Sequence, residues 1–303
     1  MWGNLYLKVE LFNFPYFLFI ALICVCFVVS TFLSRRFGKD WTYRFISVLA
    51  WSNFALHFVK QLNPFYVASW PMGLGRSTAE NLCAFLIMAS PFIIKWGNKY
   101  MKDYLFYMGI ISSLLVFLCP TSAFGLDLGE LENFLEVSRF YICHIPLLII
   151  GYLEVDSGFH ELNYHRLIAM PFMFMAVEAI LVANACLLNL VLYKLPWAEF
   201  LDRGNPLLNS SLPFGPTPEM DKILGAFYPM LIPYLQTYYV DGVLKFTPVL
   251  YLFIPYTIGT LLLGPLLALP FENRRMKLDI EWIKMREYGI LCKPETRFNV
   301  LIL

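Results

Sequence analysis

The chain has 303 residues, of which 59% are hydrophobic, 17% aromatic and 15% charged. This composition lies outside the range of soluble globular domains and inside that of proteins with several membrane-spanning helices. The formal net charge is only +1, and no basic groove with interleaved aromatic residues is visible, so a nucleic-acid partner is not expected. The seven cysteines lie mostly in apolar runs, which indicates small buried side chains and no disulfide framework.

Seven segments of the chain are apolar over close to the roughly 20 residues that a bilayer core requires. We therefore predict an all-α fold, a single integral-membrane bundle of about seven transmembrane helices made by residues 1–303. The predicted spans are Phe12 to Leu33, Thr42 to Leu62, Thr78 to Trp96, Tyr104 to Cys119, Leu135 to Leu153, Leu167 to Leu192 and Pro248 to Leu269.

The charges of the short loops predict how this bundle is oriented. Lys and Arg residues follow the first and third spans, whereas the loop after the fourth span carries only acidic charges. The positive-inside rule then places the N-terminus outside and the C-terminus in the cytoplasm. Residues 271–303 become a basic cytoplasmic tail, suited to an anionic membrane leaflet.

Residues 204–247 are predicted to form a long outer loop. Within it, Ile223 to Val240 is apolar and aromatic but contains Pro229 and Pro233. We interpret this stretch as a re-entrant or an interfacial segment, and the sequence leaves both alternatives open. The loop also holds Asn209-Ser210-Ser211, which is an N-glycosylation acceptor sequence if the host is eukaryotic.

The third span begins at a stretch with the pattern of a capping box. Ser77 is the predicted N-cap, and Glu80 is predicted to reach back to it. Cys83 then lies in the second turn, where the helix dipole has largely faded, so this thiol needs a base to act as a nucleophile. His144, in the fifth span, is the histidine well placed to be that base. At 1.5 Å per residue the two depths differ by roughly 6 Å, so the residues can meet if these spans are neighbours.

Further polar residues lie inside the predicted second span. Asn53, His57 and Lys60 recur at i, i+4 and i+7, which places them on one face that rises toward the outer end, on the side of Cys83. Such a face can line a substrate path, bind a lipid head group or hydrogen-bond to its neighbours. The sequence leaves these three roles open.

Helical spacing also sorts the residues around His144. Tyr141 shares its face, whereas Cys143 points about 100° away and is not expected to pair with it. Glu178, near the middle of the sixth span, is another ionisable group whose burial in the membrane costs free energy. It either orients a cation or stays protonated in a packed core.

Several short motifs resemble one known family. They are Asn81-Leu82-Cys83 with a following apolar run, Leu114 to Pro120, and Phe134-Leu135-Glu136-Val137 followed by Phe140-Tyr141-Ile142-Cys143-His144. Together they resemble the transmembrane protein 164 acyltransferase family and its bacterial YwaF-like relatives, over roughly the second to sixth spans. The resemblance places Cys83 on the family's cysteine and His144 on its histidine. It implies acyl transfer between membrane lipids by this pair.

The resemblance and the polar residues lead to one functional hypothesis. The chain is expected to move a fatty acyl chain from a phospholipid to a lysophospholipid through a cysteine acyl-thioester, with no cofactor and no metal. Lys60 or Arg139 is expected to hold a phosphate, and Asn81 or a nearby backbone N–H to stabilise an oxyanion. Asn53, His57, Glu80 and Tyr141 complete the set of candidate substrate-binding residues.

Three alternatives remain. With water as acceptor, the same pair is an intramembrane lipid hydrolase. A transporter would use the same buried polar groups but should show repeat symmetry, which the sequence lacks. A receptor-like protein fits the helix count, but no cysteine pair supports it.

His160 and His165 miss by one residue the spacing that places two histidines on one helical face for zinc.

Overall fold

The computed structural model describes residues 7–118, 120, 123–205, 209, 211–217, 237–240 and 243–287. Over these ranges the fold is an all-α helical bundle, as predicted. The helices are α1 (Phe14–Phe37), α2 (Lys39–Val59), α3 (Pro64–Val67), α4 (Leu82–Trp96), α5 (Lys99–Leu118), α6 (Leu131–Asp156), α7 (Met170–Leu188), α8 (Trp197–Phe200) and α9 (Leu250–Glu287). Two short strands, β1 (Thr237–Val240) and β2 (Val243–Phe246), pair antiparallel.

Each of the seven predicted spans corresponds to a helix. Five helical segments are long and apolar enough to cross a membrane: Phe14–Phe37, Lys99–Leu118, Leu131–Asp156, Tyr164–Tyr193 and Leu250–Met285. The helix α4 is apolar but has only 15 residues. The helix α2 is less hydrophobic, because it contains Lys39, Asp40 and Arg44 in addition to the buried Asn53 and His57. By length and composition these five segments suit a membrane protein, while the multi-pass topology and the count of seven spans stay predictions.

The two helices α5 and α6 form the centre of the bundle, and α1, α2, α4 and α7 pack around them. Glycines allow the two central helices to approach closely. A Cβ on Gly109 would lie 2.9 Å from the backbone oxygen of Leu147, and one on Gly151 would lie 3.0 Å from that of Leu105. Small residues at such a crossing are typical of helices that pack inside membranes.

One end of the bundle gathers the turns after α1, α4 and α6 together with the far part of α9. The ion pairs at this end are Arg35–Asp156 at 2.9 Å, Lys102–Glu154 at 3.1 Å, Arg166–Asp103, and Arg275–Glu161 at 3.1 Å. These are the connections that the charge pattern assigned to a common side. The structure therefore places them together, and the side of the membrane on which they lie stays a prediction.

The opposite end joins the N-terminal segment to the remaining loops. The backbone N–H of Val9 donates to the oxygen of Leu126 at 3.2 Å. Asn184, near the end of α7, donates from its side-chain nitrogen to Thr78 Oγ1 at 2.8 Å and to the backbone oxygen of Ala79 at 3.1 Å. The segment that leads into α4 is thereby attached to α7.

The last helix is longer than the predicted span. It runs from Leu250 to Glu287 through three internal prolines, so the first part of the predicted tail is a continuation of the helix. Neighbouring helices compensate the backbone groups that proline frees. Arg275 attaches this extension to the bundle by donating to the backbone oxygen of Leu162 at 3.2 Å. Residues 288–303 lie outside the described residues.

Most of the segment predicted as re-entrant or interfacial, residues 223–236, lies outside the described residues. Its end, Thr237–Val240, is the strand β1, in which Thr237 pairs with Phe246 and Val240 with Val243. The described end of this segment is therefore a strand paired antiparallel with Val243–Phe246.

The burial of Asn209 argues against glycosylation of the folded chain at this acceptor sequence. Only 3% of this residue is exposed, and its side-chain nitrogen donates to the backbone oxygens of Arg203 at 2.7 Å and Gly215 at 2.8 Å. Its side-chain oxygen accepts from the N–H of Phe214 at 2.9 Å. The amide that a sugar would modify is thus buried and holds the loop together.

Candidate functional site

The helix that carries Cys83 begins later than predicted. Residues Met72–Ser77 form a 3-10 turn, and α4 starts only at Leu82. The N-cap is Asn81, whose Oδ1 accepts from the N–H of Ala84 at 2.8 Å. The capping box predicted at Ser77 and Glu80 is therefore wrong. Asparagine caps a helix as well as serine does.

The corrected start moves Cys83 into the first turn of α4. At this position the thiol is nearest to the partial positive charge of the helix N-terminus. The N–H of Leu82, one residue before, donates to the hydroxyl of Ser211 at 2.8 Å. The predicted outer loop therefore contacts the start of the helix that carries the thiol.

The imidazole of His144 is held in one tautomer. Its Nδ1 lies 2.6 Å from the backbone oxygen of Phe140. Because a carbonyl oxygen only accepts, Nδ1 carries the hydrogen and Nε2 keeps a lone pair. No hydrogen bond to Nε2 is found among the described residues. This is the arrangement that a general base requires.

Two adjacent serines of α5 relate Cys83 to His144. Ser113 donates from its hydroxyl to the backbone oxygen of His144 at 3.0 Å. Ser112 approaches the thiol of Cys83. The helices α4 and α6 are also in contact, as predicted for the third and fifth spans. A direct contact between the sulfur and Nε2 stays a prediction.

The polar face of α2 is buried, as its spacing predicted, and each of its three side chains has a partner. Asn53 donates from Nδ2 to the backbone oxygen of Cys143 at 2.8 Å. His57 donates from Nε2 to the backbone oxygen of Thr78 at 3.2 Å. The third residue, Lys60, lies 3.6 Å from the carboxylate of Glu80. This face connects the loop before α4 to the middle of α6.

A cluster of charges surrounds Tyr66 next to this face. Arg139 donates to both carboxylate oxygens of Glu136, the bond from Nε measuring 2.8 Å, and Tyr66 donates to the same carboxylate at 2.9 Å. The Arg139 guanidinium lies 5.7 Å and the Lys60 ammonium 5.8 Å from the centre of the Tyr66 ring. Both cations therefore lie near the same aromatic ring, that of Tyr66.

Burial affects the ion pair between Lys60 and Glu80, which lies in the connections between the long helices. Burial raises the pKa of the Glu80 carboxyl, and the neighbouring Lys60 opposes this shift. Burial likewise lowers the pKa of the Lys60 ammonium, against the attraction of Glu80. The pair is thus costly to keep ionised where it lies.

One predicted site residue, Tyr141, lies apart from this cluster. Tyr141 stacks on Phe19 of α1, with ring centres 4.1 Å apart, and faces Phe117 of α5. Its position is that of a core residue. Cys143, which was not predicted to belong to the site, interacts with the Arg139 side chain of this cluster.

His160 and His165 lie at the end of the bundle that holds the ion pairs of the turns, and each contacts a different carboxylate. His160 lies 2.6 Å from Asp103, and His165 lies 2.9 Å from Asp279. Within the described part of the chain, no group of three or more His, Cys, Asp or Glu residues is arranged to hold a metal ion.

Sequence reasoning missed four residues of the site. Ser112 and Ser113 carried a usable signal, because hydroxyls inside an apolar span usually bond across helices. Glu136 lay in a resembling motif without a role, and Tyr66 belongs to a four-residue helix inside a predicted loop, for which no periodicity exists.

Fold and site define a helical membrane-type bundle with a histidine and a cysteine near a buried cluster of charges. No protein-family model, no curated protein and no solved structure matches the chain.

Proposed function

We propose that this chain is a multi-pass membrane acyltransferase that moves a fatty acyl chain between phospholipids through a thioester on Cys83. The observation that carries the proposal is the pairing of Cys83 and His144 with adjacent serines of α5. The tautomer of His144 supports it, since Nε2 is the atom left to accept the proton of the thiol. The resemblance of the motifs around Cys83 and His144 to one acyltransferase family agrees with it.

The proposed reaction has two halves. His144 Nε2 takes the proton of the thiol as the sulfur attacks the ester carbon of a phospholipid, and the lysolipid leaves with that proton. A lysophospholipid hydroxyl then gives its proton to His144 and attacks the thioester. The acyl chain moves to the new oxygen, and the thiol is restored. Acid and base roles alternate on one imidazole.

The charge cluster supports a phospholipid as the substrate. Lys60 and Arg139 lie at the Tyr66 ring, and Arg76 is within electrostatic range of Glu80. These three cations face two carboxylates, Glu80 and Glu136, which leaves one excess positive charge. A phosphodiester supplies one negative charge and the oxygen acceptors that guanidinium prefers. We propose that the head-group phosphate binds here.

The proposed topology has seven spans with the N-terminus outside and the C-terminus in the cytoplasm. Two helices, α2 and α4, join the five apolar segments as spans in this proposal. Asn53 and His57 of α2 and Ser90 of α4 are buried inside the bundle, whereas large apolar side chains such as Val48 and Phe92 are exposed, as lipid-facing residues would be.

Acyl transfer is tested with the purified full-length chain in liposomes that contain a phospholipid with a labelled acyl chain and an unlabelled lysophospholipid. The proposal expects labelled phospholipid made from the lysolipid, and loss of this product in Cys83→Ala. Labelled free fatty acid instead would identify the hydrolase alternative. Equal transfer by wild type and Cys83→Ala would contradict both.

A further inference from the structure

The hydroxyl of Ser112 is buried and lacks a hydrogen-bond partner among the described residues. It belongs to α5, only 7% of the residue is exposed, and its Oγ makes no hydrogen bond with any residue in the described part of the chain. Serine in a helix usually bonds back to a carbonyl one turn earlier, as Ser90 does with Ile87 at 3.2 Å. Buried hydroxyls without a partner are rare and call for a functional explanation.

This hydroxyl lies near the sulfur of Cys83, where two neighbouring N–H groups are already hydrogen-bonded. The N–H of Leu82 is bonded to Ser211, and the N–H of Ala84 is bonded to the side chain of Asn81. Ser112 approaches the thiol without bonding to it in good geometry. Its hydrogen is therefore available to an oxygen that arrives next to the sulfur.

Two more unpartnered polar atoms line the same part of the interior. Glu178 Oε2 and Tyr104 Oη have no hydrogen-bond partner among the described residues, and each residue is 1% exposed. The Tyr104 hydroxyl is within electrostatic range of both Glu178 and Cys83. The helices α5 and α7 thus contribute polar atoms without hydrogen-bond partners to one apolar region. An apolar region with a few polar atoms has the composition of a ligand-binding site.

We infer that Ser112 is a catalytic residue that donates its hydroxyl hydrogen to the oxyanion formed when Cys83 attacks an acyl ester. As the sulfur–carbon bond forms, the electron pair of the carbonyl moves to its oxygen, and Ser112 donates to that oxygen. When the pair returns, the bond to the lysolipid oxygen breaks, and this oxygen takes the proton held by His144. The inference rests on the proposed acyl transfer and names the group that stabilises its intermediate.

Two reactions of Cys83 separate this role from a structural one. Acylation by a phospholipid passes through an oxyanion, whereas alkylation by iodoacetamide displaces iodide at a saturated carbon and forms none. In the full-length chain in liposomes, Ser112→Ala is expected to slow acylation of Cys83 about 100-fold, the size of effect seen when one oxyanion donor is removed. Alkylation is expected to slow far less than acylation, because it forms no oxyanion and loses only the contact between Ser112 and the thiol.

Two further variants complete the test. Ser112→Thr keeps a hydroxyl and is expected to retain most of the acylation rate. Ser90→Ala removes a buried serine of α4 that bonds only to its own helix, and is expected to leave both reactions unchanged. Wild-type acylation in Ser112→Ala would overturn the inference and leave acyl transfer intact. Equal loss of acylation and alkylation, without rescue by threonine, would also overturn it. A wild-type chain that forms no adduct on Cys83 would refute the proposed function itself.

Discussion

The hydroxyl of Ser113 donates a hydrogen bond to the backbone oxygen of His144 at 3.0 Å. The preceding residue, Ser112, approaches Cys83. Because adjacent helix residues differ by only 1.5 Å along the axis, α5 fixes the thiol-bearing turn of α4 and the imidazole-bearing turn of α6 at similar depths. The proposed chemistry depends on this arrangement.

Removal of the imidazole should silence the thiol near neutral pH. A thiol with an ordinary pKa of about 8.5 is only a few per cent thiolate at pH 7, so Cys83 without a base reacts slowly. We expect His144→Ala to suppress labelling of Cys83 by iodoacetamide at pH 7 and to recover part of it at pH 9. Acyl transfer by the double variant with Cys83→Ala should be little worse than by either single variant.

The matched comparison for this experiment is Cys143→Ala. Cys143 neighbours His144 in sequence, is buried, and interacts with Arg139, so it is the competing nucleophile. Wild-type transfer by Cys83→Ala together with complete loss in Cys143→Ala would show that the nucleophile is Cys143 on α6.

The corrected start of α4 predicts a specific stability change. Asn81→Ala removes the N-cap acceptor of Ala84 and should lower the free energy of unfolding by about 1 kcal/mol, whereas Asn81→Ser keeps an acceptor and should lose much less. Thermal unfolding in detergent measures both. Asn81→Ser should also keep acyl transfer, and a loss of transfer at full stability would favour the hypothesis that the Asn81 amide stabilises the oxyanion.

The buried carboxyl of Glu80 predicts a pH dependence of stability. Because burial raises its pKa, the folded chain keeps the proton at pH values at which the unfolded chain has lost it. This contribution is complete below the unfolded value of about 4.3 and is lost as the pH rises through the folded pKa. Glutamine does not titrate, so the melting temperature of Glu80→Gln minus that of wild type should increase between pH 4.5 and pH 7.5.

The exposed residue Glu132 is the control for this pH series, since Glu132→Gln should show no such trend. A difference for Glu80→Gln that decreases with pH would mean that attraction to Lys60 outweighs burial and that the pKa of Glu80 is lowered in the folded chain.

The proposed topology predicts opposite labelling at the two ends of the bundle. Glu10 precedes α1 and Lys284 lies near the end of α9, and both are exposed. In intact cells, a membrane-impermeant thiol reagent should label Glu10→Cys and not Lys284→Cys, with the parent chain as background. Labelling of Lys284→Cys should appear after permeabilisation. The reverse result would invert the topology.

The sequence was sufficient for the helices, because long apolar runs separated by charged loops have few other solutions in a bilayer. It also predicted that Asn53, His57 and Lys60 share a buried face, since helical spacing alone decides that. The contact between the third and fifth predicted spans followed from the hypothesis that Cys83 and His144 act together.

Local geometry was less predictable. Ser77 and Asn81 are both good caps, and the choice between them depends on Asn184 and Ser211, which hold Ala79 and Leu82 from distant parts of the chain. The burial of Asn209 likewise depends on a compact loop turn that no short motif encodes. The partners of individual polar groups are set by tertiary packing, which composition and periodicity do not contain.

The most direct test of the proposed acyl transfer is the mass of Cys83 after the purified chain has been incubated with a phospholipid of defined acyl chains and no acceptor. We predict an added acyl group on the peptide that contains Cys83, released by hydroxylamine as a thioester and removed by adding a lysophospholipid. The adduct should be absent in Cys83→Ala and present in Cys143→Ala. An unmodified Cys83 in a preparation that transfers acyl chains would contradict the central claim.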